Sequence, residues 1–176
     1  AGMGLGGAFT EHAEADIAAL LDCNVRALTL LTRRFLPDML RRGRGGILNV
    51  ASVGGLVPGP YQAAYYASKA YVVALTTAAQ FEARGRGVRI AVLAPGPVET
   101  AFHARMGAQS AIYRLLLPAL APKGIARAGY RGFCWGRCVI LPGMTARILA
   151  ISLWIVPRSI TVPIVGWLLR PRGEAG

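Results

Sequence analysis

Apolar positions recur along the chain with helical spacing in some stretches and as short unbroken runs in others. Ile17, Leu20, Leu21, Val25, Leu28, Leu31 and Phe35 return every three or four residues, with Asn24 in the same stripe. That spacing predicts a long amphipathic helix over 16–42. Glu11, Glu14 and Asp16 stand where a helix N-terminus favours negative charge, and Arg41, Arg42 and Gly43 are stop signals. Pro37 predicts a kink or a fresh turn. Gly46-Ile47-Leu48-Asn49-Val50-Ala51-Ser52 is a glycine-bounded apolar run, which predicts a strand buried on both faces. A Gly/Pro loop over 54–60 comes next, and helical spacing resumes over 62–84. Val88 to Ala94 is a second such strand, stopped by Pro95-Gly96-Pro97. A leading helix and then strand, helix, strand make a βαβ unit. The predicted fold class is α/β, a Rossmann-like, doubly wound parallel sheet. In such sheets ligands bind at the carboxyl ends of the strands, where Ser52 and Pro95-Gly96 fall.

Past residue 100 the pattern weakens. Helical pieces over 101–121 are broken by Pro118 and Pro122, a helix is expected over 124–136, and a short strand over 137–141 ends at Pro142-Gly143. From Thr145 to Arg170 the chain is very apolar. Arg147, Arg158 and Arg170 cut it into runs well short of the roughly 20 apolar residues of a membrane span. The expected division is a dinucleotide-binding domain over 1–143 and an apolar, basic extension over 144–176. Packing on the domain, a dimer face and contact with a membrane surface are three open uses for that extension.

Composition narrows the function classes. With 176 residues, 54% of them hydrophobic and 16% charged, the chain holds one domain with a real core and is not disordered. The net charge of +12 is uneven: residues 1–100 carry ten basic and seven acidic side chains, and residues 101–176 carry ten basic and one acidic. The arginines stand singly among Leu, Ile, Trp and Pro, which reads as a solvated basic surface and not as a nucleic-acid site. Cys23, Cys134 and Cys138 are an odd count without Cys-x-x-Cys spacing, so free thiols in a reducing, cytoplasmic setting are expected, and no metal. His12 and His103 are isolated and read as surface residues. The start of the chain is no signal peptide.

The candidate chemistry lies in Tyr65-Tyr66-Ala67-Ser68-Lys69. Tyr65 and Lys69, four apart, share a helix face, and an ammonium beside a phenol is expected to lower its pKa toward neutrality. Lys69 is also one of only two lysines among 20 basic residues. Tyr66 lies three before Lys69 and is assigned to packing. A serine-hydrolase site is excluded, because Val50-Ala51-Ser52-Val53-Gly54 lacks the first glycine of the nucleophile elbow. Gly2-x-Gly4-x-x-Gly7 matches a dinucleotide fingerprint by letter, but no strand precedes it and Asp22 falls inside a helix, so it reads as a loop.

Asn24 in a long helix, Ser52 at a strand end, Tyr65 and Lys69 on the next helix, and Pro95-Gly96-Pro97-Val98-Glu99-Thr100 after the next strand together resemble the short-chain dehydrogenase/reductase family over about residues 1–105. The resemblance implies Asn24, Ser52, Tyr65 and Lys69 as catalytic residues. It implies a cofactor surface of Ala1, Gly2, Asn24, Tyr65, Lys69, Pro95, Gly96, Val98 and Thr100, with Ala1-Gly2 as the tail of the family's Asn-Ala-Gly loop. The implied reaction is hydride transfer between NADP(H), or alternatively NAD(H), and a carbonyl or alcohol carbon. Tyr65 would act as acid or base, Lys69 would lower its pKa and hold the ribose, Ser52 would polarise the substrate oxygen, and Asn24 would place a relay water. Residues 122–176 resemble more loosely a bacterial reductase subgroup of broad substrate range. The family's glycine-rich pyrophosphate loop would lie before Ala1, so the chain is expected to be the catalytic half of a longer unit. Leu56, Val57, Phe102, Met106 and the Leu115–Leu117 run are the expected lining for a small apolar substrate, and a homo-oligomer is among the expected partners. The rival reading is a catalytically incompetent fragment that serves as a binding or membrane-surface module.

Overall fold

The computed structural model describes residues 2–99 and 119–171. Three strands, β1 (Gly45–Val50), β2 (Val88–Leu93) and β3 (Val139–Ile140), lie in that order and are all parallel. Parallel neighbours require crossovers, and helices supply them. α1 (Glu14–Leu21) and α2 (Ala27–Arg42) lead into β1, α3 (Ala63–Glu82) carries the chain from β1 to β2, and α4 (Pro122–Cys134) precedes β3. Two further helices, α5 (Met144–Ile155) and α6 (Arg158–Leu169), close the described chain.

The sheet is covered on both faces. Val92 and Ala94 point to Val72 of α3 and Leu28 of α2, while Ala91 and Leu93 point to Ile125 and Phe133 of α4. Alternate residues of β2 thus serve opposite layers, which is why that strand reads as a continuous apolar run. The expectation for β1 needs correction. It is an edge strand among the described residues, so it is only partly covered, and Val50 is 51% exposed.

The leading helix also departs from its predicted stripe. Between α1 and α2, residues Asp22–Arg26 form a π-helical turn. The extra residue of a π-turn rotates the helix beyond it. Leu20, Asn24 and Leu28 face inward as expected, but Leu21 is 42% exposed already before the turn, and beyond it Thr32 takes the next inward position while Leu31 and Phe35 stand 54% and 52% exposed. α2 runs through Pro37 and stops at Gly43, whose φ of 63° supplies the left-handed cap. The apolar C-terminal stretch forms the two helices α5 and α6. α6 lies on the domain through Val165 and Leu169, which meet Val57 and Tyr66.

Candidate active site

The site is assembled at the carboxyl ends of β1 and β2. Ser52, two residues past β1, is fully extended (φ −162°, ψ 159°) and caps a short 3-10 turn, Val53–Leu56, by accepting a hydrogen bond from Gly54 N at 3.1 Å. Val53 N donates to Pro95 O at 2.9 Å and Ser52 Oγ to the same carbonyl at 3.5 Å, which ties the two strand ends together. The 3-10 turn rests directly on α3. A Cβ on Gly55 would come within 2.6 Å of Lys69 O, so only glycine permits that approach.

α3 begins at Ala63, which puts Tyr65 in its first turn and Lys69 one turn on. Both are buried, at 9% and 6% exposure. Lys69 Nζ lies 5.8 Å from the centre of the Tyr65 ring and donates to Val50 O at 3.2 Å. Burial raises the Tyr65 pKa, and a side-chain hydrogen bond with Ser52 opposes that rise. Burial lowers the pKa of Lys69, opposed by its electrostatic interaction with Cys23. The expectation of a phenol brought down toward neutrality is therefore not met in this structure. Withdrawal from water penalises phenolate more than the neighbouring groups favour it.

Asn24 sits in the π-turn and faces inward at 3% exposure. Its carboxamide grips the backbone of Met3 at both groups: Met3 N donates to Oδ1 at 2.9 Å and Nδ2 donates to Met3 O at 2.7 Å. Nδ2 also donates to Ser68 Oγ at 3.1 Å, and Ser68 Oγ donates to Tyr65 O at 2.7 Å. The strip around Gly2 is thereby held against the site. A Cβ on Gly2 would lie 3.7 Å from both Asn24 Oδ1 and Lys69 Nζ, so all three face one point.

The structure thus brings Gly2, Asn24, Ser52, Tyr65, Lys69 and Pro95 together. Gly96 borders open space, and Val98 pairs with Leu120 in a bridge that anchors the loop after β2. Ala1, Thr100, Phe102, Met106 and Leu115–Leu117 lie outside the described residues. Val57 is drawn into the cluster with Val165 and Leu169, and Tyr66 packs there as expected, edge-on to Tyr65 with ring centres 6.0 Å apart. His12 is half-buried, not on the open surface; its Nε2 pairs with Gly6 O at 3.3 Å. The cysteines are free, and no cluster of metal ligands occurs among the described residues.

Sequence reasoning misses three parts of the frame. Ser68 joins Asn24 to Tyr65. The loop at Met3 is the main partner of Asn24. Tyr61, with φ 62°, is a non-glycine residue in the left-handed region and accepts from Gly7 N at 2.9 Å, tying the first loop to the segment before α3. A serine one residue before the lysine is the one visible signal; the other two depend on tertiary contacts.

Comparison with known proteins identifies the family and the fold. The short chain dehydrogenase profile matches residues 1–111, more than half of the chain. The chain belongs to the short-chain dehydrogenase/reductase family, and its parallel sheet is the family's Rossmann-like α/β fold. Among its relatives are a ketoacyl reductase of a Nostoc species, 39% identical over 98 residues (56% of this chain, 34% of that protein), and human 17-beta-hydroxysteroid dehydrogenase type 1, 39% identical over 102 residues (58% and 31%). A short-chain dehydrogenase from Sphingobium yanoikuyae, solved with NADPH, superposes with a TM-score of 0.75 at 28% identity, over 86% of this chain and 59% of that one. One from Burkholderia phymatum, solved with NAD, gives 0.76 at 25% identity, over 97% and 67%. The chain spans a third to a half of the length of the curated relatives it matches (31–47%).

Proposed function

We propose that this chain carries the proton-transfer half of an NAD(P)-dependent oxidoreductase that interconverts a carbonyl and an alcohol. The observation that carries the reading is the buried Tyr65, hydrogen-bonded to Ser52 and flanked by Lys69 at the carboxyl end of the sheet. The donor set fits the nicotinamide–ribose end of a dinucleotide: an ammonium and a phenol for ribose hydroxyls, and a glycine whose missing side chain leaves room beside them. When bound, the cofactor supplies or accepts the hydride. The identities of two similar enzymes solved with NADPH and with NAD support NADP(H), with NAD(H) as the alternative.

Tyr65 Oη is the acid in the reducing direction and the base in the oxidising one. Ser52 Oγ donates to the substrate oxygen, so that two preplaced donors meet the charge that develops there. Lys69 holds ribose hydroxyls and, as a cation, favours the phenolate formed after proton transfer. The carboxamide of Asn24 has one acceptor position left on Oδ1 after its bonds to Met3 and Ser68, and a water there connects it to Lys69 for reprotonation. Pro95, Gly96 and Val98 flank the cofactor, with Ala1 and Thr100 as further contacts. The substrate is a small apolar ketone or alcohol, a reading supported by Leu56 and by the apolar side chains Phe102, Met106 and Leu115–Leu117 that follow in the sequence. Free thiols support a reducing, cytoplasmic setting, and the exposed Leu30, Leu31 and Phe35 of α2 support association with a second copy.

The rival reading, an inert binding module, is disfavoured by the assembled hydrogen bonds of Asn24, Ser52 and Ser68. Consumption of NADPH or NADH by the protein across a panel of apolar ketones tests the proposal. Oxidation of the cofactor that depends on both ketone and protein is expected; tight cofactor binding with no turnover on any ketone or alcohol would favour the inert module instead.

A further inference from the structure

The amino ends of the strands lie at the opposite end of the sheet from the site, and three turns meet there. Gly45 of β1 pairs with Val88 of β2, so the turns leading into the two strands lie side by side. A Cβ on Gly87 would collide with Gly43 O, which puts those turns in backbone contact. The end of α4 reaches the same edge. A Cβ on Gly46 would collide with the Phe133 ring and come within 2.9 Å of Arg89 O. Each passage brings exposed arginines: Arg41, Arg42 and Arg44 into β1, Arg84, Arg86 and Arg89 into β2, and Arg131 and Arg137 into β3. Arginines that stand singly in the sequence are thus gathered at one end of the fold. Residues 38–46, 80–89 and 130–139 hold eight arginines against two carboxylates, Asp38 and Glu82, and Asp38 is already paired with Arg41. Arg41, Arg42 and Arg131 stand in last turns and complement helix ends, but Arg44, Arg86, Arg89 and Arg137 lie outside the helices and have no such role.

We propose that this arginine edge docks on an anionic phospholipid bilayer. Charge excludes a second copy meeting edge to edge, because like guanidiniums would face each other. The rings among these arginines separate a bilayer from a nucleic acid. Phe81 and Trp135 are 67% and 63% exposed. Arg84 lies over the Phe81 ring at 5.5 Å from its centre, and Arg131 and Arg137 lie over the Trp135 ring at 5.0 and 5.3 Å. Bases stack on open ring faces, and these rings already carry guanidiniums over their faces. A headgroup layer uses the arrangement as it stands: the guanidiniums take lipid phosphates while the rims of the rings settle at the interface. β1 and β2 are six residues long, so the edge lies about 20 Å from the carboxyl ends, and the active site stays clear of the surface. This inference does not depend on the proposed reaction.

Co-sedimentation of the protein with phosphatidylglycerol/phosphatidylcholine vesicles, beside pure phosphatidylcholine vesicles, tests it. The protein is expected to pellet with the anionic vesicles and far less with the zwitterionic ones, and to be released by high salt. The edge variant Arg44→Gln/Arg86→Gln/Arg137→Gln, all three sites being exposed, is expected to keep its thermal melt and to bind anionic vesicles at least about tenfold more weakly. The variant Arg33→Gln/Arg34→Gln/Arg158→Gln removes the same charge from exposed sites elsewhere and is expected to bind within about threefold of the parent. Absence of the unaltered protein from the anionic pellet overturns the proposal, as does undiminished binding by the edge variant or an equal loss in the other. Capture of duplex DNA in a gel shift, lost in the edge variant and without vesicle binding, also overturns it and assigns the edge to a nucleic acid.

Discussion

Asn24 and Ser68, 44 residues apart, are joined by a buried hydrogen bond of 3.1 Å from Nδ2 to Oγ. Through it the π-turn of the leading helix is coupled to the first turn of α3, since Ser68 Oγ donates in turn to Tyr65 O. The orientation of Tyr65 thus depends on residues that never touch a substrate.

Ser68→Ala should show this. The substitution leaves Asn24 Nδ2 with Met3 alone, in a site where Ser68 is 1% exposed. An unsatisfied buried donor costs about 1–3 kcal/mol, so urea unfolding should reveal a loss of that size. Turnover should fall while the KM for cofactor changes little; a fall in turnover accompanied by a comparable rise in that KM would mean a general loosening of the fold.

Gly2→Ala probes the point shared by Asn24 and Lys69. A Cβ there makes ordinary 3.7 Å contacts, so stability should stay within about 0.5 kcal/mol of the parent. The methyl group displaces a relay water, and turnover should drop with slowed reprotonation. Full activity would remove Asn24 from the relay.

The shift at Tyr65 fixes the sign of the pH profile. Its pKa lies above the ordinary 10.0, so the phenol is protonated through neutral pH. Ketone reduction should be flat there and decline only at strongly alkaline pH, while alcohol oxidation should climb as pH rises. Ser52→Ala removes the hydrogen bond that opposes the shift, so the alkaline limb should move higher and the rate should fall by roughly 10²–10³.

Lys69 should leave its mark on stability. Its folded pKa lies below 10.5, so its contribution is present above 10.5 and is lost as pH falls through the depressed folded value. Compared with Lys69→Met, the unaltered protein should gain relative stability as pH is raised from neutral toward 10.5. Taking the difference cancels the opposite contribution of Tyr65, whose raised pKa costs stability at still higher pH. Denaturant unfolding of both forms across that range gives the slope; a slope of opposite sign would mean that Lys69 is held charged.

Much of this fold is legible in sequence because local signals and tertiary structure agree. The apolar runs at Ile47 and Ile90, each ended by turn residues, become β1 and β2, paired Ile47 to Ile90. The spacing of Tyr65 and Lys69 survives because one uninterrupted helix carries both. The leading helix misleads at Leu21, where the inward face is narrower than the apolar stripe, and again from Leu31 onward, because no periodicity reveals the π-turn between them. The partners of Asn24 are hidden because a carboxamide's hydrogen bonds are set by whichever backbone folds beside it, here Met3. The direction of the Tyr65 shift escapes the sequence because charge proximity is visible there and depth of burial is not.

The central claim rests on one proton, that of Tyr65 Oη. Steady-state reduction of a responsive ketone by Tyr65→Phe, measured beside cofactor binding, tests it most directly. Turnover should fall by about 10²–10⁴ or more while the cofactor Kd stays within a few-fold of the parent. Turnover retained in Tyr65→Phe with the fold and cofactor affinity unchanged would place the proton donor elsewhere and contradict the account.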